Sequence, residues 1–188
     1  MRSLKAGGQW LDAYGLWLAQ HKESVPLLYN GSFDQAIEQD GFDWEFSRAP
    51  RSRAGVMVEQ EVMARRGMVL GLDFTGRSFT APIVRQYLFA APGAYRLRGE
   101  YMASKLRSES GLTWSVVCTS GRKAVLVRSR PIQDTGGVWQ PLEAEFTVPS
   151  DCGVVASLQL EPAAQFEAAT GIKGRVAFDG FNLARTSN

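Results

Sequence analysis

Residues 92–118 alternate in character over two runs. In the first, Tyr95, Leu97, Gly99 and Tyr101 interleave with Arg96, Arg98 and Glu100; in the second, Leu112, Trp114, Val116 and Cys118 interleave with Thr113, Ser115 and Val117. A period of two sends successive side chains to opposite faces, so each run reads as a strand with one buried face. The link 105–111 is polar and holds Ser and Gly, which suits an exposed turn and predicts two neighbouring antiparallel strands. A chain with this pattern at its middle has to be built on a sheet.

The rest of the chain repeats the signal. Strand-like segments recur at 42–46, 56–61, 68–74, 83–88, 124–127, 143–148, 154–160 and 175–183, and Gly, Pro, Ser or Asp separates nearly all of them. Many short strands at such spacing predict an all-β sandwich or barrel. The stretch 34–40 reads as one helical turn, and 49–55, with Pro50, as loop. Ahead of the strands, 8–22 carries Trp10, Leu11, Tyr14, Trp17 and Leu18 on one helical face. Two Trp and a Tyr are too much apolar surface to leave in water, so this short N-terminal α-helix docks either on its own sheet or against a preceding helical domain. Pro26 then stops the helix, which gives a helical segment at 1–27 and a β-domain at 28–188.

Composition bounds function by exclusion. With 188 residues, 45% hydrophobic and 21% charged, the chain can bury one sizeable core. A net charge of +2 is far from the dense basic footprint of nucleic-acid binding. Arg48, Arg51, Arg53, Arg65 and Arg66 give a local basic bias, read first as loop solvation and second as a polyanion site. No apolar run is long enough to span a bilayer, and Gln9, Asp12 and Gln20 interrupt the start, which does not read as a secretion signal.

Catalytic motifs are missing. The lone histidine, His21, falls at the helix end and reads as structural. There is no GxSxG elbow, GxGxxG, phosphate loop or HExxH. Acid pairs at i, i+2 (Glu59 with Glu61, Glu143 with Glu145, Asp43 with Glu45) leave a carboxylate-based glycosidase formally open, though on strands such pairs usually form the wet face. Cys118 and Cys152 fit neither a four-ligand zinc framework nor a CxxC motif; they are a pair or two thiols. A bridge would contribute about 3–4 kcal/mol and imply an oxidising compartment.

The order of motifs adds to this. Asn30-Gly31-Ser32-Phe33-Asp34, Gly41-Phe42-Asp43-Trp44, Pro92-Gly93-Ala94-Tyr95-Arg96-Leu97, Trp139 before Phe146-Thr147-Val148-Pro149, and Phe178-Asp179-Gly180-Phe181-Asn182-Leu183 resemble a carbohydrate-binding module of β-jelly-roll type, in the galactose-binding-like group. The resemblance covers about residues 28–185. It implies a two-sheet jelly-roll sandwich and a non-catalytic polysaccharide- or oligosaccharide-binding role in the bacterial cell envelope, periplasmic or extracellular. Cys118 and Cys152, with Trp114, also look like a disulfide-bearing variant found at the C-terminus of envelope proteins with tetratricopeptide repeats. On that likeness, Trp10, Tyr14 and Trp17 would contact a preceding helical-repeat domain, and a docking role without sugar is the alternative.

Sugar binding asks for aromatic faces flanked by amide, guanidinium and carboxylate groups. The candidates are Arg85, Gln86 and Tyr87, then Tyr101 and Trp114, with Trp44 and Trp139 behind them. For Trp114, Trp139 and Tyr95 the competing expectation is plain core packing. No cofactor is required, but the resemblance implies a structural calcium between Asp34 and Asp179. Against it, Asp179 in an Asp-Gly turn is suited to accept backbone hydrogen bonds.

Overall fold

A computed structural model describes residues 1–21, 25–46 and 54–186. Arg48, Arg51, Arg53 and most of the expected loop at 49–55 lie outside the described residues. Among the described residues ten strands form: β1 (Glu45–Phe46), β2 (Val56–Met63), β3 (Gly67–Thr75), β4 (Val84–Leu88), β5 (Gly93–Arg107), β6 (Leu112–Cys118), β7 (Val125–Arg128), β8 (Gln140–Val148), β9 (Ala156–Pro162) and β10 (Lys173–Arg185). They make two five-stranded antiparallel sheets, sheet I in the order β1-β4-β9-β6-β7 and sheet II in the order β2-β3-β10-β5-β8. The expected all-β, two-sheet sandwich is the architecture observed.

One expectation fails instructively. β5 and β6 do not pair: β5 bonds to β10 and β8 in sheet II, while β6 bonds to β9 and β7 in sheet I. Alternation reports which face of a strand is buried, not which strand lies beside it, and two strands facing each other across a core alternate just as neighbours do. Their apolar faces do point inward. Tyr95 and Leu97 meet Leu72, Phe178, Leu158, Leu160, Trp114 and Val116 in one continuous core.

Trp44, Trp114, Phe178 and Phe181 close one end of that core, with Trp114 5.8 Å from Trp44 and 5.0 Å from Phe181. Gly99 is needed beneath them, because a Cβ there would strike the Phe181 ring. Phe181 N–H donates to the Gly31 carbonyl at 2.8 Å, which ties the opening motif to the closing one. At the other end the Cys118–Cys152 disulfide, fully buried, joins β6 to the 3-10 turn Ser150–Cys152.

The turn expected at 34–40 is not helical. Side chains take its backbone instead: Asn30 holds Gln35 N and O at 3.1 and 2.8 Å, and Gln60 holds the Phe33 and Gln35 carbonyls at 2.7 Å and Ile37 N at 2.8 Å. Such bonds compete with helix formation and win here. Similarly the strand at 42–46 is cut to Glu45–Phe46, because buried Asp43 turns the chain by accepting from Glu38 N and Trp44 N.

At the N-terminus the helical region is split into α1 (Arg2–Ala6) and α2 (Trp10–Leu18). A further short helix, α3 (Phe166–Thr170), precedes β10, and neither it nor α1 has a sequence signal. Its Glu167 accepts from Ser108 Oγ, Glu109 N, Ser110 N and Ser110 Oγ, pinning the β5–β6 link.

Candidate functional site

The aromatic stripe of α2 decides where the molecule has a site. Its rings pack beside sheet I, while Leu11 and Leu18 of the same stripe stay exposed. Tyr14 stacks on Phe89 with ring centroids 4.3 Å apart and planes 4° apart, and meets Phe42 edge-on at 4.9 Å. Trp17, almost fully buried, packs on Phe42 and Tyr29. Gly41 lies directly under that indole, where any Cβ would collide. His21 completes the cluster, with Nδ1 2.8 Å from the Trp17 carbonyl oxygen and its ring on Trp17. Tyr14 and Trp17, two of the three residues expected to contact a preceding helical-repeat domain, are thus packed on rings of this chain, Phe42, Phe89 and Tyr29.

Trp10 behaves differently. Its ring stands 5.0 Å from that of Tyr87 on β4, at the mouth of a cleft between the N-terminal helices and the β1–β4 edge. The cleft has a volume of about 700 Å³ and is lined by Arg2, Lys5, Trp10, Gln39, Glu45, Phe46, Arg85, Tyr87 and the turn 80–82. That volume is in the range of small-molecule sites. Lys5 anchors it from above: its ammonium, buried, bonds to Glu45 Oε1 at 2.5 Å and to the Gly41 carbonyl at 2.7 Å, 4.9 Å from the Tyr87 ring centre. Arg85 Nε donates to Glu45 Oε2 at 2.9 Å, and its guanidinium sits 5.0 Å from the Tyr87 ring centre. Burial pushes the Tyr87 phenol above its ordinary pKa, so it stays a neutral hydrogen-bonding ring.

The five sequence-derived binding candidates do not converge. Arg85 and Tyr87 share the cleft. Gln86, between them on the strand, points the opposite way; fully buried, it accepts from Tyr29 N at 3.0 Å and donates to the Tyr29 carbonyl at 2.8 Å. Tyr101 faces inward, half-buried on the core. Trp114 is core, with no face for a ligand, as is Trp44. Alternation with Leu and Val marked Trp114 as inward from the start, and the strand period likewise places Gln86 opposite its neighbours. Arg2, Lys5, Gln39 and Glu45 were missed, since a cleft between a helix and a sheet edge has no local signal.

Trp139, just before β8, lies under the Arg66 guanidinium at 3.8 Å. Arg66 in turn bonds to Glu100 at 2.6 Å and reaches Asp179 at 3.4 Å. This bears on the calcium expected between Asp34 and Asp179. The two acids are near enough that, besides burial, Asp34 helps push the Asp179 carboxyl above its ordinary pKa. The oxygens around them already have other partners. A guanidinium already occupies Asp179, Gly180 N–H bonds to its other oxygen at 2.6 Å, and the Gln60 amide takes the carbonyls of Phe33 and Gln35. Among the described residues no group of three or more His, Cys, Asp or Glu gathers to hold a metal.

The acid pairs are likewise engaged. Glu143 and Glu145 pair with Arg96 and Arg98, Glu61 and Asp73 with Arg175, Asp43 with backbone amides, and Glu45 with Lys5 and Arg85.

The fold is that of carbohydrate-binding modules. A CBM4 module superposes with a TM-score of 0.62 at 15% identity, over 85% of this chain and 99% of its own. The CBM22-1 xylan-binding domain of Paenibacillus barcinonensis Xyn10C gives 0.56 at 16% identity, over 84% and 93%. The same sandwich also forms 22% of the enzymatically active domain of bacteriophage CBA120 tailspike protein 4, at a TM-score of 0.54 and 14% identity. No family model matches the sequence, and no curated protein matches it. At these identities the likeness establishes architecture, and function has to come from the site.

Proposed function

We propose that the protein is a non-catalytic module that binds a polysaccharide or oligosaccharide in the cleft between α1, α2 and sheet I. The observation that carries this is the pair of rings, Trp10 and Tyr87, at an open cleft rimmed by guanidinium, amide and carboxylate groups. Pyranose rings present apolar faces for such stacking and hydroxyls for such rims. The sandwich it shares with a xylan-binding domain supports the class of ligand. A buried disulfide fits an oxidising compartment, periplasmic or extracellular, in keeping with a place in the cell envelope. Among the described residues no helix is long and apolar enough to cross a membrane.

A docking role remains as a second reading, in part on the face the sequence suggested, since Leu11 and Leu18 belong to the stripe read there. Leu11, Leu16 and Leu18 of α2 are exposed at 65%, 48% and 36%.

Native gels cast with soluble xylan, cellulose derivatives, galactans and polyuronates test the proposal. Retardation by at least one glycan, lost in Tyr87→Ala, is the expected result. No retardation by any of them overturns it.

A further inference from the structure

The cleft beneath α1 is charged unequally. Among the described residues lining it, Arg2, Lys5 and Arg85 are cationic and Glu45 alone is anionic. Glu45 is already divided, with Oε1 on Lys5 and Oε2 on Arg85 Nε. That arrangement satisfies Lys5, whose side chain is 8% exposed, but leaves the outer end of Arg85, 41% exposed, turned to solvent. Arg2, on the exposed rim, gives Nη2 to the Gln39 carbonyl at 3.2 Å and has no carboxylate among the described residues. A guanidinium presents a planar fork of N–H donors that matches a carboxylate or a sulfate ester. On sheet II, by comparison, Arg66, Arg96, Arg98 and Arg175 each meet an acid.

We infer that the ligand of the cleft is an acidic glycan, its sugar rings against Trp10 and Tyr87 and its carboxylate or sulfate groups met by Arg2 and Arg85. This rests on the glycan-binding proposal and narrows it to a substrate class. Anionic groups fixed on sugar rings gain both stacking and charge-assisted hydrogen bonds, whereas a neutral glycan leaves the cationic surplus unanswered.

The experiment uses one backbone in two charge states. Polygalacturonate and its fully methyl-esterified form are compared by calorimetry and native gels, with dextran and dextran sulfate as the sulfate-ester arm. The acidic form should bind about tenfold tighter than the ester or the neutral dextran, with affinity falling as salt is raised. Arg2→Gln and Arg85→Gln should each weaken the acidic ligand about five- to tenfold and weaken any binding of the neutral one by less. Tyr87→Ala should weaken both. Arg122→Gln, in the surface pair with Asp151, should change nothing and so controls for diffuse attraction to a basic protein. Whether the uronate or the sulfated glycan is preferred identifies the anionic group, and either supports the inference. Equal binding of acidic and neutral forms, indifferent to salt and to both arginine variants, overturns the inference while leaving glycan binding intact. Acidic binding that survives both arginine variants also overturns it, and no binding to any glycan overturns both readings.

Discussion

The outer faces of the two sheets have solved the same problem, a wall of half-exposed strands, in opposite ways. Sheet II faces solvent without a helix and covers itself with ion pairs. Arg96 and Arg98 ladder across to Glu143 and Glu145, Arg175 holds Glu61 and Asp73, and Arg66 holds Glu100 and Asp179. Sheet I hands its edge to two helices and an aromatic cluster, and in the cleft between them Arg2, Lys5 and Arg85 outnumber Glu45. A self-matched face has little left to offer a ligand. An unmatched one, partly desolvated, is where binding energy is available.

The comparison can be tested from its largest consequence down. Trp17→Ala should remove the keystone of the helix–sheet contact and destabilise the protein by about 3–5 kcal/mol in denaturant melts. A loss under about 1 kcal/mol would mean that the helices are only appended. Glu45→Gln should come next, at about 2–3 kcal/mol, since it strips buried Lys5 of its partner carboxylate. The same variant, by raising the cationic surplus of the cleft, should tighten an acidic glycan. Gln60→Ala should cost about 1–3 kcal/mol by leaving the loop carbonyls unpaired, while chelator leaves the melting temperature unchanged. A chelator-induced drop would restore the ion that the arrangement around Asp179 argues against.

On sheet II the effects should be slight. Arg96→Gln should change stability by less than about 1 kcal/mol, the usual worth of an exposed pair, and a larger effect would show that the ladder is more than a wet surface. Hydrogen bonding to Arg66, outweighing a small opposing effect of burial, holds the Glu100 carboxyl below the usual glutamate range. A folded-state pKa lowered in this way contributes stability above the unfolded value, lost as pH falls through the acid range. Glu100→Gln should therefore cost a little stability at neutral pH, flatten part of the acid limb, and leave stability at the lowest pH nearly unchanged.

Much of the fold was legible because strands write their buried face into every second residue. Tyr95 and Leu97, Trp114 and Val116 all point where alternation says they should. Pairing was not legible, because β5 and β6 bury the same kind of face whether they lie side by side or across the core. Loop structure was hidden for another reason: Gln60 and Asn30 hold residues 33–37 through side chains that are distant in sequence or shared with the turn. Of the site, Tyr87 and Arg85 could be found, since aromatic and guanidinium groups alternate outward on one strand. Lys5 and Glu45 could not, being 40 residues apart in the chain and meeting only when α1 crosses the edge of sheet I.

The strand order of sheet II has a consequence for how the chain is made. By Pro162 every strand of sheet I has been supplied, yet sheet II exists only as two separate antiparallel pairs, β2 with β3 and β5 with β8. β10 is the last strand to appear and the central one, and it alone joins them. A nascent chain that has not yet delivered residue 173 exposes two unpaired edges and a half-covered core, so chaperone protection should be needed longest there. Truncations of even this one strand should yield aggregation rather than a smaller folded module.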